Sequence, residues 1–136
     1  MDIPLVLLAD YANVSREGKL NVLGIFTTIH ARNFPAIHPQ LQIVIMWEAS
    51  RTESGRKKKL EIQLRDQDGG KMFAVGGEFV IPEGVPGKRI QGNNIVVLNG
   101  VKFEKPGDYT FHVLINDEEK GEAVLAVAPI LPAKQS

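Results

Sequence analysis

Short apolar runs recur along this chain, and each is closed by a cluster of turn-forming residues. Arg16-Glu17-Gly18-Lys19, Asp68-Gly69-Gly70 and Lys105-Pro106-Gly107-Asp108 are three such clusters. Glycine reaches positive φ without a steric penalty and proline arrives with φ preset, so an extended chain reverses at these points. No long window shows the 3.6-residue apolar period of a helix. The expected fold is therefore all-β, a two-sheet antiparallel sandwich of about eight strands. The strands are expected at 4–13, 19–29, 40–49, 58–66, 71–81, 94–103, 108–116 and 121–128.

Two of these runs alternate cleanly. Leu60, Ile62 and Leu64 share one face of 58–66, and Glu61, Gln63 and Arg65 share the other. In 108–116, Tyr109, Phe111, Val113 and Ile115 oppose Thr110, His112 and Asn116, with Leu114 the exception on that second face. Each reads as a strand with one buried and one wet face. Three other runs are apolar on both faces: 19–29, 40–49 and 94–103. In a sandwich only one face of each sheet is covered. A second apolar face therefore points to an interface, and Leu23, Ile25, Val44 and Met46 are the residues expected to form it.

The chain has 136 residues, enough to bury a core without metal or disulfide staples. One domain is expected over 1–128, with a frayed tail at 129–136. Cysteine is absent, which removes disulfides and thiol chemistry and suits a cytoplasmic location. Sixteen basic residues balance sixteen acidic ones, so no global field draws nucleic acid, and none is expected as a partner. The apolar start, Pro4 to Ala9, is too short for a leader or a span and follows Asp2 rather than a basic segment. No membrane span is expected. Two connections are long enough to carry binding: 30–39, with His30 and His38, and 82–93, with Lys88 and Arg89.

Catalytic chemistry finds no constellation. The serines sit in turns or the tail without a nucleophile elbow. His30, His38 and His112 show no tight ligand spacing, so no metal ligand set and no cofactor is assigned. Gly76-Gly77 lies inside a strand pattern and reads as a bulge or a close backbone approach, with Gly24 similar. Asp66-Gln67-Asp68-Gly69-Gly70 resembles the start of a calcium loop, but an EF-hand would need glutamate where Gly77 stands. A C2-like site could still join Asp66 and Asp68 to Asn116-Asp117-Glu118-Glu119 if both loops share one end of the sandwich. Arg56, Lys57, Lys58 and Lys59 form the one basic run, a candidate patch for phosphate or anionic lipid. Phe34 is the aromatic best placed in a loop for stacking, whereas Trp47 reads as core.

Trp47 on the third candidate strand and Tyr109 at the start of the seventh resemble the immunoglobulin-like sandwich. There a strand-C tryptophan fills the core and a tyrosine near the start of strand F bonds back to the preceding corner. The cysteine pair of antibody domains is missing. A second resemblance covers most of the chain. Ala9-Asp10-Tyr11-Ala12, Gly18-Lys19-Leu20-Asn21-Val22-Leu23-Gly24, Gly100-Val101-Lys102-Phe103 and Pro106-Gly107-Asp108-Tyr109-Thr110-Phe111 resemble a family of small uncharacterised bacterial β-sandwich proteins. That resemblance implies a bacterial, cytoplasmic protein and supplies no catalytic residue. Taken together, the sequence points to a non-enzymatic interaction or assembly module with a protein partner or a second copy. The alternatives are a C2-like calcium- or lipid-binding domain and an enzyme whose site assembles from distant loops.

Overall fold

The computed structural model describes residues 1–130. Among them are nine strands: β1 (Asp2–Val14), β2 (Leu20–Ile25), β3 (Thr28–Ala31), β4 (Ala36–Ala49), β5 (Lys57–Arg65), β6 (Lys71–Val80), β7 (Ile90–Phe103), β8 (Gly107–Ile115) and β9 (Glu118–Pro129). A single 3₁₀ turn, Arg51–Glu53, follows β4. The strands form a four-stranded sheet, β2-β1-β4-β7, and a five-stranded sheet, β3-β9-β8-β5-β6. One of the two sheets curls into a half-barrel. Every pairing is antiparallel except β3 with β9.

The turns follow from their residues. Asn116 and Asp117 join β8 to β9 with φ of 50° and 68°. Positive φ at both central residues of a two-residue hairpin loop is the geometry that asparagine and aspartate tolerate best. Between β5 and β6, Asp66 Oδ1 accepts the N–H groups of Asp68 (3.0 Å) and Gly70 (2.8 Å). Its carboxylate thus builds the turn from within.

The core lies between the sheets. Leu8, Leu41, Ile43, Ile45, Leu98, Val101 and Phe103 face Leu60, Ile62, Leu64, Tyr109, Phe111, Val113, Ile115, Leu125 and Val127. The alternation read in 58–66 and 108–116 is present as expected: Ile62, Leu64, Phe111 and Val113 are all at most 1% exposed. A smaller cluster of Trp47, Ala49, Ile81 and Ile90 closes one end. Trp47 packs on Phe79 and over Gly92, where a Cβ would overlap its indole ring. Tyr109 donates its hydroxyl to the Lys105 carbonyl at 2.6 Å, locking the corner that leads into β8.

Four expectations need correction. The 19–29 run is not one strand. Phe26 turns into the core while its N–H bonds to Leu8 O (3.0 Å), and the chain leaves the first sheet there to pair β3 with β9 in the second. The 30–39 segment is not a long loop, because His30 lies on β3 and His38 on β4, and only 32–35 connect them. Pro39 is tolerated inside β4 because β1 pairs only with the later part of that strand, leaving an open edge beside it. The 82–93 connection is also shorter, since β7 already begins at Ile90. Finally, the strand carrying Trp47 does not pair with the strand carrying Tyr109. β4 pairs with β1 and β7, and β5 is the neighbour of β8. Of the expected tail, Pro129 ends β9 and Ile130 bonds to Ala31 O, while 131–136 lie outside the described residues.

The passage from β2 to β3 carries the chain from one sheet to the other along one flank. On the opposite flank β6 and β7 are both end strands, with no ladder between them. A groove of about 420 Å³, lined by Val75, Gly76, Asn94 and Val96 among others, runs between them.

Candidate functional site

Cross-strand register places all four expected interface residues on one surface. Ile25, Ala9, Gln42 and Val97 form one row across β2, β1, β4 and β7. Leu7, Val44 and Ile95 form the next, and Leu5, Met46 and Asn93 a third, with Leu23 and Tyr11 paired on the other side. Directly opposed residues share a face. The core-facing residues Leu8, Ile43 and Ile45 have the opposite parity, so these rows form the outer face of the four-stranded sheet. None of these four rows contains a charged residue, and the face becomes charged only at the next row, where Asp2 and Glu48 pair.

Exposure divides the four. Leu23 is 66% and Ile25 57% exposed, and Tyr11 (50%) and Val97 (46%) extend the same surface. Val44 is fully buried and Met46 half-buried, so these two form its floor. Leu7 and Ile95 lie beside Val44 on the neighbouring strands. Gln42 is buried as well, and its Oε1 accepts the Ala12 N–H (2.9 Å) where β1 and β4 diverge. Leu7 and Tyr11 were not expected in this surface. The cross-strand register places them on the face of Leu5 and Ala9.

The basic run is not exposed as a group of four. Lys58 turns inward, is buried, and places its Nζ 2.8 Å from Glu53 Oε1. The N-terminal amino group lies 3.4 Å from the same oxygen. The Glu53 carboxyl is held at a pKa of about 2. The Lys58 hydrogen bond is the main cause, burial opposes it, and the Ser50 N–H adds to it. Lys57 pairs with Glu78 (3.5 Å) and Lys59 with Asp117 (3.0 Å). Of the run, Arg56 and the exposed Lys57 and Lys59 face solvent, while Lys58 is withdrawn from any anion. In the other long connection, Arg89 is held by Asp2 (2.9 Å) and Glu48 (3.7 Å).

The C2-like calcium arrangement fails on geometry. Asp66 follows Arg65, which pairs with Thr110, whereas Asn116 bonds to Lys59. The two loops sit at opposite ends of β5, roughly 20 Å apart at 3.3 Å per residue. Phe34 is half-buried and packs against the core. A Cβ at Gly76 would sit 2.7 Å from Leu60 O, in keeping with the close approach expected there.

His30 and His38 line a shallow depression with Asp10, but no third donor joins them at ligand distance among the described residues. His112 behaves differently. On the outer face of the five-stranded sheet its Nδ1 contacts a Glu119 carboxylate oxygen and lies 3.9 Å from Glu122. Lys120 is the extra residue of a bulge: Gly121 pairs with Val113 and Glu119 with Leu114. The bulge turns Glu119 to the same face as Glu122, and no sequence spacing announces it.

An all-β fold of two sheets sharing one core, with an apolar patch on one outer face, defines the class of protein at hand. The chain belongs to a family of unknown function, DUF6941, whose profile matches residues 4–128. No curated protein matches it in sequence. Among solved structures, it is similar to the Pseudomonas fluorescens alkylpurine DNA glycosylase AlkC bound to DNA containing an abasic site analog. The match has 15% identity and a TM-score of 0.47, covering 90% of this chain and 30% of that one. The chain therefore spans under a third of that protein, and a likeness of this degree assigns neither fold type nor activity.

Proposed function

We propose that this chain is a non-enzymatic protein-interaction or assembly module whose contact surface is the outer face of the four-stranded sheet. The observation that carries the reading is the group Leu23, Ile25, Tyr11 and Val97, exposed together on charge-free rows around a fully buried Val44. Monomeric proteins rarely leave large contiguous apolar patches in water. A second copy of the chain suits such a surface. It carries no opposing charge to overcome, and the whole molecule has zero net charge, so two copies do not repel at long range.

The architecture fits an immunoglobulin-like sandwich. With β1, β4 and β7 as strands A, B and E, and β5, β8 and β9 as C, F and G, the two sheets reproduce the ABE and CFG groupings of that fold. The Tyr109 hydroxyl bond to Lys105 O supports the assignment of β8 as strand F. Trp47 then belongs to strand B. A bacterial, cytoplasmic setting is part of the same proposal and rests on the cysteine-free sequence and the family resemblance.

One groove supports a non-enzymatic role. The groove between β6 and β7 has Glu78 as its one titratable lining residue, and Glu78 is exposed and paired with Lys57. Sedimentation of wild type and Ile25→Asp tests the proposal. Association in wild type that is lost in the variant is expected. A wild type that stays monomeric at high micromolar concentration overturns self-association.

A further inference from the structure

We propose that His112, Glu119 and Glu122 form a binding site for a first-row divalent metal ion, with zinc as its representative. One imidazole nitrogen and two carboxylate oxygens, one from each residue, lie within 4.8 Å of one another. Ligands on a tetrahedral zinc at about 2.0–2.2 Å stand roughly 3.4 Å apart. The Nδ1 of His112 is already 3.9 Å from Glu122, so small rotations of exposed side chains bring the donors to ligand distance. The backbone supplies the arrangement, because the bulge at Lys120 is what sets both glutamates on the face of His112.

The charges around the cluster also favour a cation. Two carboxylates converge on one imidazole, and neither has a lysine or arginine partner among the described residues. Nearby cations are engaged elsewhere: Arg65 donates to Gln63 (2.7 Å) and to Gly69 O (3.3 Å), and Lys120 pairs with Glu118 (3.4 Å). A divalent ion would relieve the repulsion between the glutamates. Three protein donors leave coordination positions open, as in zinc sites that accept water or an outside ligand. The cluster borders a depression of about 420 Å³, lined by Gln63, Arg65, His112 and Glu119 among others, that gives such a ligand room. Nitrogen and oxygen donors together favour zinc or its first-row neighbours over calcium and magnesium, which prefer all-oxygen shells.

Calorimetric titration of the full chain with zinc chloride, paired with thermal melting, tests the site. One zinc per chain is expected, with a melting-temperature rise on the order of 10 °C at a hundredfold excess over Kd. His112→Ala and Glu122→Gln should each weaken binding by about tenfold or more, as the loss of a direct ligand requires. Glu118→Gln and His30→Ala should leave it unchanged. Metal-free melting of each variant at the wild-type temperature shows that the fold is intact. No saturable binding, or binding that survives His112→Ala together with Glu122→Gln, overturns the proposal.

Discussion

The two outer sheet faces of this protein are built on the same period-two alternation and finish in opposite ways. On the five-stranded sheet, Glu61, Gln63 and Arg65 bond to one another along β5, with Gln63 buried beneath the network. Side-chain groups there find partners within the sheet. On the four-stranded sheet, the centre of the corresponding surface carries Leu23, Ile25, Tyr11 and Val97, and charge enters only at its end, with Asp2 and Glu48. Nothing within the described chain covers it. A sheet face can thus be completed by its own polar ladder or left for another surface to complete, and this fold does one on each side.

Placing a charge at the centre of the apolar face tests it most severely. Val44→Asp puts a carboxylate where exposure is zero, with no cation in the surrounding rows. A destabilisation of about 3–5 kcal/mol is expected, read by urea denaturation. The next largest effect lies where the chain passes from one sheet to the other. Glu53→Gln removes the charge that holds Lys58 and should cost roughly 1–3 kcal/mol at neutral pH. The folded pKa of Glu53 is about 2, below its ordinary 4.5. Its stabilisation is therefore fully present above about pH 4.5 and is lost as pH falls through about 2. The variant should show a flatter acid limb across that window; an unchanged limb would remove Glu53 from the account.

Tyr109→Phe removes only the hydroxyl that reaches Lys105 O. The expected loss is about 1 kcal/mol, with the aromatic contact to Phe103 retained. Ile25→Asp should change monomer stability least, by about 0.5 kcal/mol or less, since the side chain is already in solvent. It sharpens the comparison because its effect should appear in association rather than in melting. If Ile25→Asp destabilises as much as Val44→Asp, the face is part of the core and not a free surface.

Much of the fold was legible in the residues. Leu60, Ile62 and Leu64, and Tyr109, Phe111, Val113 and Ile115, alternate because one neighbour of their strands is water and the other is core. The turns at 66–70 and 116–117 were marked by aspartate, asparagine and glycine. Other elements were hidden by distance along the chain. Leu20 to Ile29 reads as one strand because both β2 and β3 are apolar, and only the parallel partner β9, about a hundred residues away, separates them. The 30–39 segment reads as a connection, yet most of it lies on β3 and β4, with Pro39 on an open edge. Of the candidate surface, Leu23, Ile25, Val44 and Met46 were legible as a group, but not that Val44 would be floor and Ile25 rim. The His112 cluster was invisible because a bulge changes the parity of Glu119, and bulges leave little trace in a single sequence.

The flank where the chain crosses from β2 to β3 and the flank where β6 and β7 stand apart make the molecule resemble a hinged book, bound along one spine and open at the fore-edge. The β3–β9 ladder continues the spine, whereas at the fore-edge β6 and β7 are joined by the 81–89 connection and by side-chain packing, with no ladder between them. Opening should therefore begin at the unladdered sides of β6 and β7 rather than as a uniform loosening. Amides on the free sides of β6 and β7 would exchange with solvent well before those of β8, which is laddered on both sides.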